Sequence, residues 1–120
     1  MINRAIEKVI LKRWGSGKAI MLLGPRQTGK TTLLKKITEE KGSYLFLDCD
    51  EMLVKERLEN ANLENLKQLI GNHKVIFVDE VQRVKNIGLT LKIIIDQLAT
   101  RQLLVSGSSA LELANEIRPR

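Results

Sequence analysis

The sequence is poor in cysteine, proline and aromatic residues. It contains one cysteine, Cys49, one histidine, two prolines and 3% aromatic residues. A single cysteine excludes an intramolecular disulfide, and one cysteine with one histidine is too few for a zinc site. The scarcity of aromatic rings also disfavours the stacking platforms that hold single-stranded nucleic acids.

Long hydrophobic runs are also missing. The longest pure apolar run is residues 19–23, whereas about 20 apolar residues are needed to span a bilayer as a helix. The first residues lack the basic and then apolar layout of a secretory signal peptide. We therefore expect a cytoplasmic protein without a membrane span.

The remaining composition is that of an ordinary globular protein. The chain has 120 residues, of which 43% are hydrophobic and 28% are charged, which predicts a single domain over residues 1–120 with a substantial core. Twenty Lys and Arg residues against fourteen Asp and Glu residues give a net charge of +6. The basic residues are scattered, which favours a solvated surface, although a nucleic-acid-binding patch stays open.

Hydrophobic periodicity alternates between helix and strand along the chain. Helical spacing predicts helices at 2–14, 31–40, within 51–70 and at 86–99, the last with Asn86 as its N-cap. Short apolar runs predict strands at 19–23, 44–48, 75–78 and 103–105. Strands that are apolar throughout and separated by helices predict an α/β fold with a parallel sheet covered on both faces. Ligands bind beyond the carboxyl ends of such strands, where Gly24, Asp79 and Ser106 lie.

A phosphate-binding motif follows the first predicted strand. The segment matches G-x-x-x-x-G-K-[ST] and precedes a predicted helix. Its glycines let backbone N–H groups turn toward phosphate oxygens, its lysine reaches the β- and γ-phosphates, and its hydroxyl is a ligand for Mg²⁺. The predicted nucleotide-binding residues are Gly24, Pro25, Arg26, Gln27, Thr28, Gly29, Lys30, Thr31 and Thr32.

Acidic and hydroxyl side chains follow the other strands. Asp79 is predicted to hold Mg²⁺ together with Thr31, and Glu80 to accept a proton from the attacking water. Ser106 is predicted to contact the γ-phosphate or that water if its strand lies between the other two, with a helix cap as the alternative. The acidic run at 48–51 is either a turn or support for the site.

Three segments of the chain resemble those of AAA+ ATPases: the phosphate motif at 24–32, residues 75–82 and residues 104–109. They are most similar to prokaryotic members in which the AAA domain precedes a C-terminal domain of unknown function. The resemblance implies a three-layer P-loop NTPase fold with strand order 5-1-4-3-2, and ATP and Mg²⁺ as ligands. It assigns Walker A to 24–31, Walker B to 75–80 and sensor 1 to Ser106, and the catalytic roles to Lys30, Glu80 and Ser106.

The chain departs from this pattern at its C-terminal end. The sequence predicts four strands, so the fifth is missing, and nothing after Ser109 matches an arginine finger. We therefore expect a truncated N-terminal core without the lid and C-terminal domain. The open sheet edge beside the phosphate-loop strand would invite pairing with another chain, so we expect homo-oligomers through the edges of the nucleotide site.

Three functions remain open. The leading hypothesis is Mg²⁺-dependent ATP hydrolysis. Another P-loop enzyme, such as a GTPase, is disfavoured because the chain reads Asp-Glu-Val-Gln at 79–82 instead of Asp-x-x-Gly. The third is a nucleotide-responsive regulatory or DNA-associated module with little hydrolysis.

Overall fold

A computed structural model describes residues 4–14, 19–23, 29–98 and 102–108 of the chain. Helices and strands alternate, as the periodicity predicted. The helices are α1 (Arg4–Arg13), α2 (Gly29–Glu40), α3 (Met52–Leu58), α4 (Leu63–Ile70) and α5 (Ile87–Gln97), and the strands are β1 (Ile20–Leu23), β2 (Leu45–Asp48), β3 (Val75–Asp79) and β4 (Gln102–Gly107). None of these helices is both long and apolar enough to cross a membrane.

The four strands form one sheet in the order β1-β4-β3-β2, and every neighbouring pair is parallel. Among the described residues this is the 1-4-3-2 part of the order 5-1-4-3-2, so the predicted fold is confirmed. The last of the described strands, β4, is inserted between β1 and β3, which places Ser106 opposite Leu22 and beside the end of β3. The sheet order therefore brings together the carboxyl ends that carry the predicted site.

Two hydrophobic clusters cover the two faces of the sheet. The alternating pattern along β3 sends Ile76 and Val78 to the cluster shared with α3, α4 and α5, while Phe77 joins the cluster of α1 and α2. Both central strands, β3 and β4, are buried at every position. Burial on both faces explains why these strands are apolar runs instead of alternating sequences.

The helix ends differ in how they are capped. Asn62 caps α4 as its residue type favours, since its side chain accepts a hydrogen bond from the Asn65 N–H at 2.8 Å. Asn86 is the N-cap residue of α5, as predicted, but its side chain makes no capping hydrogen bond. Its backbone is left-handed (φ 57°), whereas a capping side chain reaches the helix N–H groups from an extended backbone.

Candidate functional site

The predicted phosphate loop joins β1 to α2. Residues 24–28 lie outside the described residues, as do the side chains of Lys30 and Thr31. The backbone of Gly29, Lys30 and Thr31 begins α2, and Thr32 is exposed in its first turn. That turn carries no acidic side chain, so none of its own residues repels an anion at the positive end of the helix. The strand and the helix that the motif requires are therefore both present.

Asp79 lies at the carboxyl end of β3 and is 6% exposed. The Ser106 hydroxyl, 2% exposed, donates a hydrogen bond to Asp79 Oδ1. A buried carboxylate needs such partners because leaving water is costly for a charge. The structure thus confirms that the strand of Ser106 lies between the other two, and it places the Ser106 side chain on Asp79.

Glu80 follows β3 in a left-handed backbone conformation, with φ 57° and ψ 46°. This conformation is uncommon for glutamate and costs about 1–2 kcal/mol. A short 3₁₀ turn, Val81–Arg83, begins directly after it. Gln82 in this turn donates a hydrogen bond from Nε2 to Glu80 Oε1 at 2.7 Å. Glu80 therefore combines a strained backbone with a carboxylate that is hydrogen-bonded to Gln82.

The acidic run at 48–51 forms a turn at the end of β2. Asp48 Oδ1 accepts a hydrogen bond from the Asp50 N–H at 3.0 Å, and Asp50 pairs with exposed Arg83 at 3.0 Å. Solvent screening makes such an exposed ion pair weak. The turn also borders the site, because Asp48 is paired in register with Asp79 and the Cys49 N–H donates to the Asp79 carbonyl at 3.0 Å.

The Cys49 thiol is buried, with 1% of the residue exposed. The pKa of this thiol is raised to about 12 from an ordinary value of 9.0. Burial is the largest cause, and the negative charges of Asp48 and Asp79 add to it. Because the folded chain favours the neutral thiol, the resulting contribution to stability is complete below pH 9.0 and is lost as the pH rises toward about 12.

We expect the folded chain to resist thiol alkylation at about pH 8, since the thiolate is the reactive form and the sulfur is inaccessible. Labelling followed by mass spectrometry should show rapid reaction in denaturant and slow reaction without it. Equal labelling rates in the two conditions would contradict the burial of Cys49.

A magnesium ion fits this site better than a metal held by many side chains. Within the described ranges, no group of three or more His, Cys, Asp or Glu residues is placed to hold a metal. Mg²⁺ keeps several waters and takes one or two carboxylates together with substrate phosphates. The buried carboxylate of Asp79, which β4 separates from the strand that leads to the phosphate loop, matches that requirement.

Gln82 is the contact that the sequence analysis missed. Side chains two residues apart do not face each other on a regular helix. Here Glu80 is left-handed and Gln82 lies in the 3₁₀ turn that follows, and the two side chains meet. The sole signal in the sequence was a glutamine two positions after a carboxylate.

Comparison with known proteins places the chain in a family. A family described as "AAA domain" matches residues 16–120. Uncharacterized proteins of Mycobacterium bovis and Mycobacterium tuberculosis are each 30% identical over 95 residues, which cover 78% of this chain and 20% of each relative. The chain therefore spans about a fifth of the length of these relatives.

Solved structures share the fold. A structure of Drosophila ORC bound to DNA aligns with a TM-score of 0.62 and 15% identity, covering 95% of this chain and 84% of that one. A mutant of RuvB from Thermotoga maritima aligns with a TM-score of 0.60 and 18% identity, covering 93% of this chain and 41% of that one. The chain accordingly belongs to the AAA domain family and has the fold of an AAA+ P-loop ATPase core.

Proposed function

We propose that this chain binds ATP with Mg²⁺ and hydrolyses it by attack of water on the γ-phosphate. The observation that carries the proposal is the alignment of strand ends: Asp79 ends β3, Glu80 follows it, and Ser106 on the intervening strand donates a hydrogen bond to the Asp79 carboxylate. The strand on the other side, β1, leads into the phosphate motif. Family membership supports nucleotide binding by the same edge of the sheet.

The phosphate motif supplies the binding energy in this proposal. Backbone N–H groups of the motif and the N-terminus of α2 would bind the phosphates, and Lys30 would pair with the β- and γ-phosphates. Thr31 and Asp79 would hold Mg²⁺, which when bound neutralises charge that develops on the phosphate oxygens. Ser106 keeps Asp79 oriented through its hydroxyl.

Glu80 is the base in this proposal. The water oxygen forms a bond to the γ-phosphorus while the bond from that phosphorus to the β–γ bridging oxygen breaks, and ADP keeps the electron pair. Glu80 takes the proton that the water loses and passes it to solvent. A general base of this kind contributes about 10²–10⁴-fold to a rate.

The first test is a calorimetric titration with ATP in the presence and absence of Mg²⁺, with GTP for comparison. We expect binding of ATP that depends on Mg²⁺ and exceeds binding of GTP. Lys30→Ala should weaken ATP binding by about 10- to 100-fold, because a charge-assisted contact to phosphate contributes about 1.5–3 kcal/mol.

Lys36→Ala is the matched control, since this exposed lysine lies on the same helix. Its affinity for ATP should equal that of the unchanged chain. The proposal would be overturned if neither ATP nor GTP binds. It would also be overturned if Lys30→Ala and Lys36→Ala lose the same affinity for ATP.

A nucleotide-responsive, DNA-associated module is the second candidate. The net charge of +6 favours it, and the similar Drosophila ORC structure is of a protein bound to DNA. A chain that binds Mg-ATP without turning it over, and binds DNA with an affinity that falls steeply with salt, would favour this candidate over hydrolysis.

A further inference from the structure

The side chain of Gln82 joins the end of β3 to the end of β4. Its Nε2 donates to Glu80 Oε1 at 2.7 Å, and its Oε1 accepts from the Ser108 N–H at 3.0 Å. An amide side chain can make both bonds at once because it carries a donor and an acceptor. The Ser108 bond fixes the amide, and the fixed amide in turn holds one oxygen of the Glu80 carboxylate.

Gly107 makes room for this bridge. A Cβ atom at Gly107 would lie 2.7 Å from Gln82 Oε1 and 2.9 Å from Val81 Cγ2. Both distances are shorter than van der Waals contact, so any larger residue would displace Gln82 or the turn behind it. The absence of a side chain at position 107 therefore lets Gln82 lie across the end of β4.

The backbone of Glu80 supports the same arrangement. Its left-handed conformation and the following 3₁₀ turn direct the side chains of Glu80 and Gln82 toward each other. A glutamate with free χ angles would spend little time in one orientation, and misplacement of a reacting group by about 1 Å can lower a rate about 10²-fold. A hydrogen bond to one carboxylate oxygen restricts that freedom.

We propose that Gln82 is the positioning residue for Glu80, holding Oε1 so that Oε2 faces the attacking water. This inference rests on the hydrolysis proposed above. Both carboxylates are then held from the carboxyl end of β4. The Ser106 hydroxyl donates to Asp79, and the Ser108 N–H, just after β4, fixes the Gln82 amide that donates to Glu80.

The test is Gln82→Glu, measured by steady-state ATP hydrolysis. The glutamate keeps an acceptor for the Ser108 N–H but replaces the donor to Glu80 with a second carboxylate oxygen. We expect kcat to fall about 10- to 100-fold while KM for ATP stays within about 2-fold. Gln82→Asn, one methylene too short to span both partners, should lower kcat in the same direction.

Gln68→Glu is the matched control, because it makes the same chemical change at an exposed position of α4. Its kcat and KM should equal those of the unchanged chain. A kcat for Gln82→Glu equal to that of the control would overturn the inference.

A second comparison separates positioning from a merely structural role. In single turnovers with excess protein, Gln82→Glu should lower the rate in the native background and add no further loss to Glu80→Gln. An equal loss in both backgrounds would show that Gln82 does not act through Glu80. Failure of the unchanged chain to bind or turn over Mg-ATP would instead overturn the proposed function itself.

Discussion

Glu80→Gln should lower ATP turnover about 10²–10⁴-fold and leave the affinity for Mg-ATP within about 3-fold of the native value. Glutamine has nearly the shape of glutamate and keeps an oxygen that can accept the hydrogen bond from Gln82. It cannot take the proton that water loses when it attacks the γ-phosphate. The loss should therefore fall on kcat and spare binding.

The measurement combines calorimetry for binding with phosphate release for turnover. Glu56→Gln on α3 is the control, since it removes the same charge from an exposed position. If Glu80→Gln turned over ATP as fast as Glu56→Gln, Glu80 would not be the base. Loss of binding together with turnover would point to a structural role for the carboxylate.

Phe77→Ala should give the largest loss of stability, about 3–5 kcal/mol in the free energy of unfolding. Phe77 is 0% exposed on the central strand β3 and packs edge-on against Phe46, with ring centroids 5.1 Å apart. Its removal leaves a cavity between the sheet and the α1–α2 layer, with neighbours on a rigid strand that cannot collapse into it. Such a loss is a large part of the roughly 5–15 kcal/mol that stabilises a domain.

Urea unfolding of Phe77→Ala and Phe46→Ala measures this effect. The two free energies of unfolding are compared with the same dependence on urea concentration for both variants. Phe46 lies on the edge strand β2 and is only half-buried, so water can fill part of the space that its ring leaves. We expect a clearly smaller loss for Phe46→Ala. An equal or smaller loss for Phe77→Ala would contradict the assignment of Phe77 to the centre of the core.

Ser106 shows how sheet order governs the chemistry. It follows Asp79 by 27 positions in the sequence, yet its hydroxyl bonds to that carboxylate because β4 is inserted next to β3. The register sets Val78 opposite Val105, so the next residues of both strands meet at the same edge. A strand added at the outer side of β3 would have left Asp79 without this donor.

The local features of the chain were readable from the sequence. Apolar runs bounded by helical patterns predicted the four strands that the structure describes, since a parallel sheet covered on both faces favours continuous hydrophobic residues. The phosphate motif and the acidic pair at 79–80 were readable because their chemistry depends on residue types at close spacing.

The contacts between strand ends were decided by tertiary structure. The bond from Ser106 to Asp79 depends on the sheet order, and the bridge from Glu80 through Gln82 to Ser108 depends on a left-handed residue and a neighbouring strand. Residue type alone predicted Asn86 as the N-cap residue of α5, but not its left-handed backbone or the absence of a capping hydrogen bond from its side chain. Periodicity and motif spacing determine which elements form and which groups they carry, whereas packing of distant segments determines which of those groups meet.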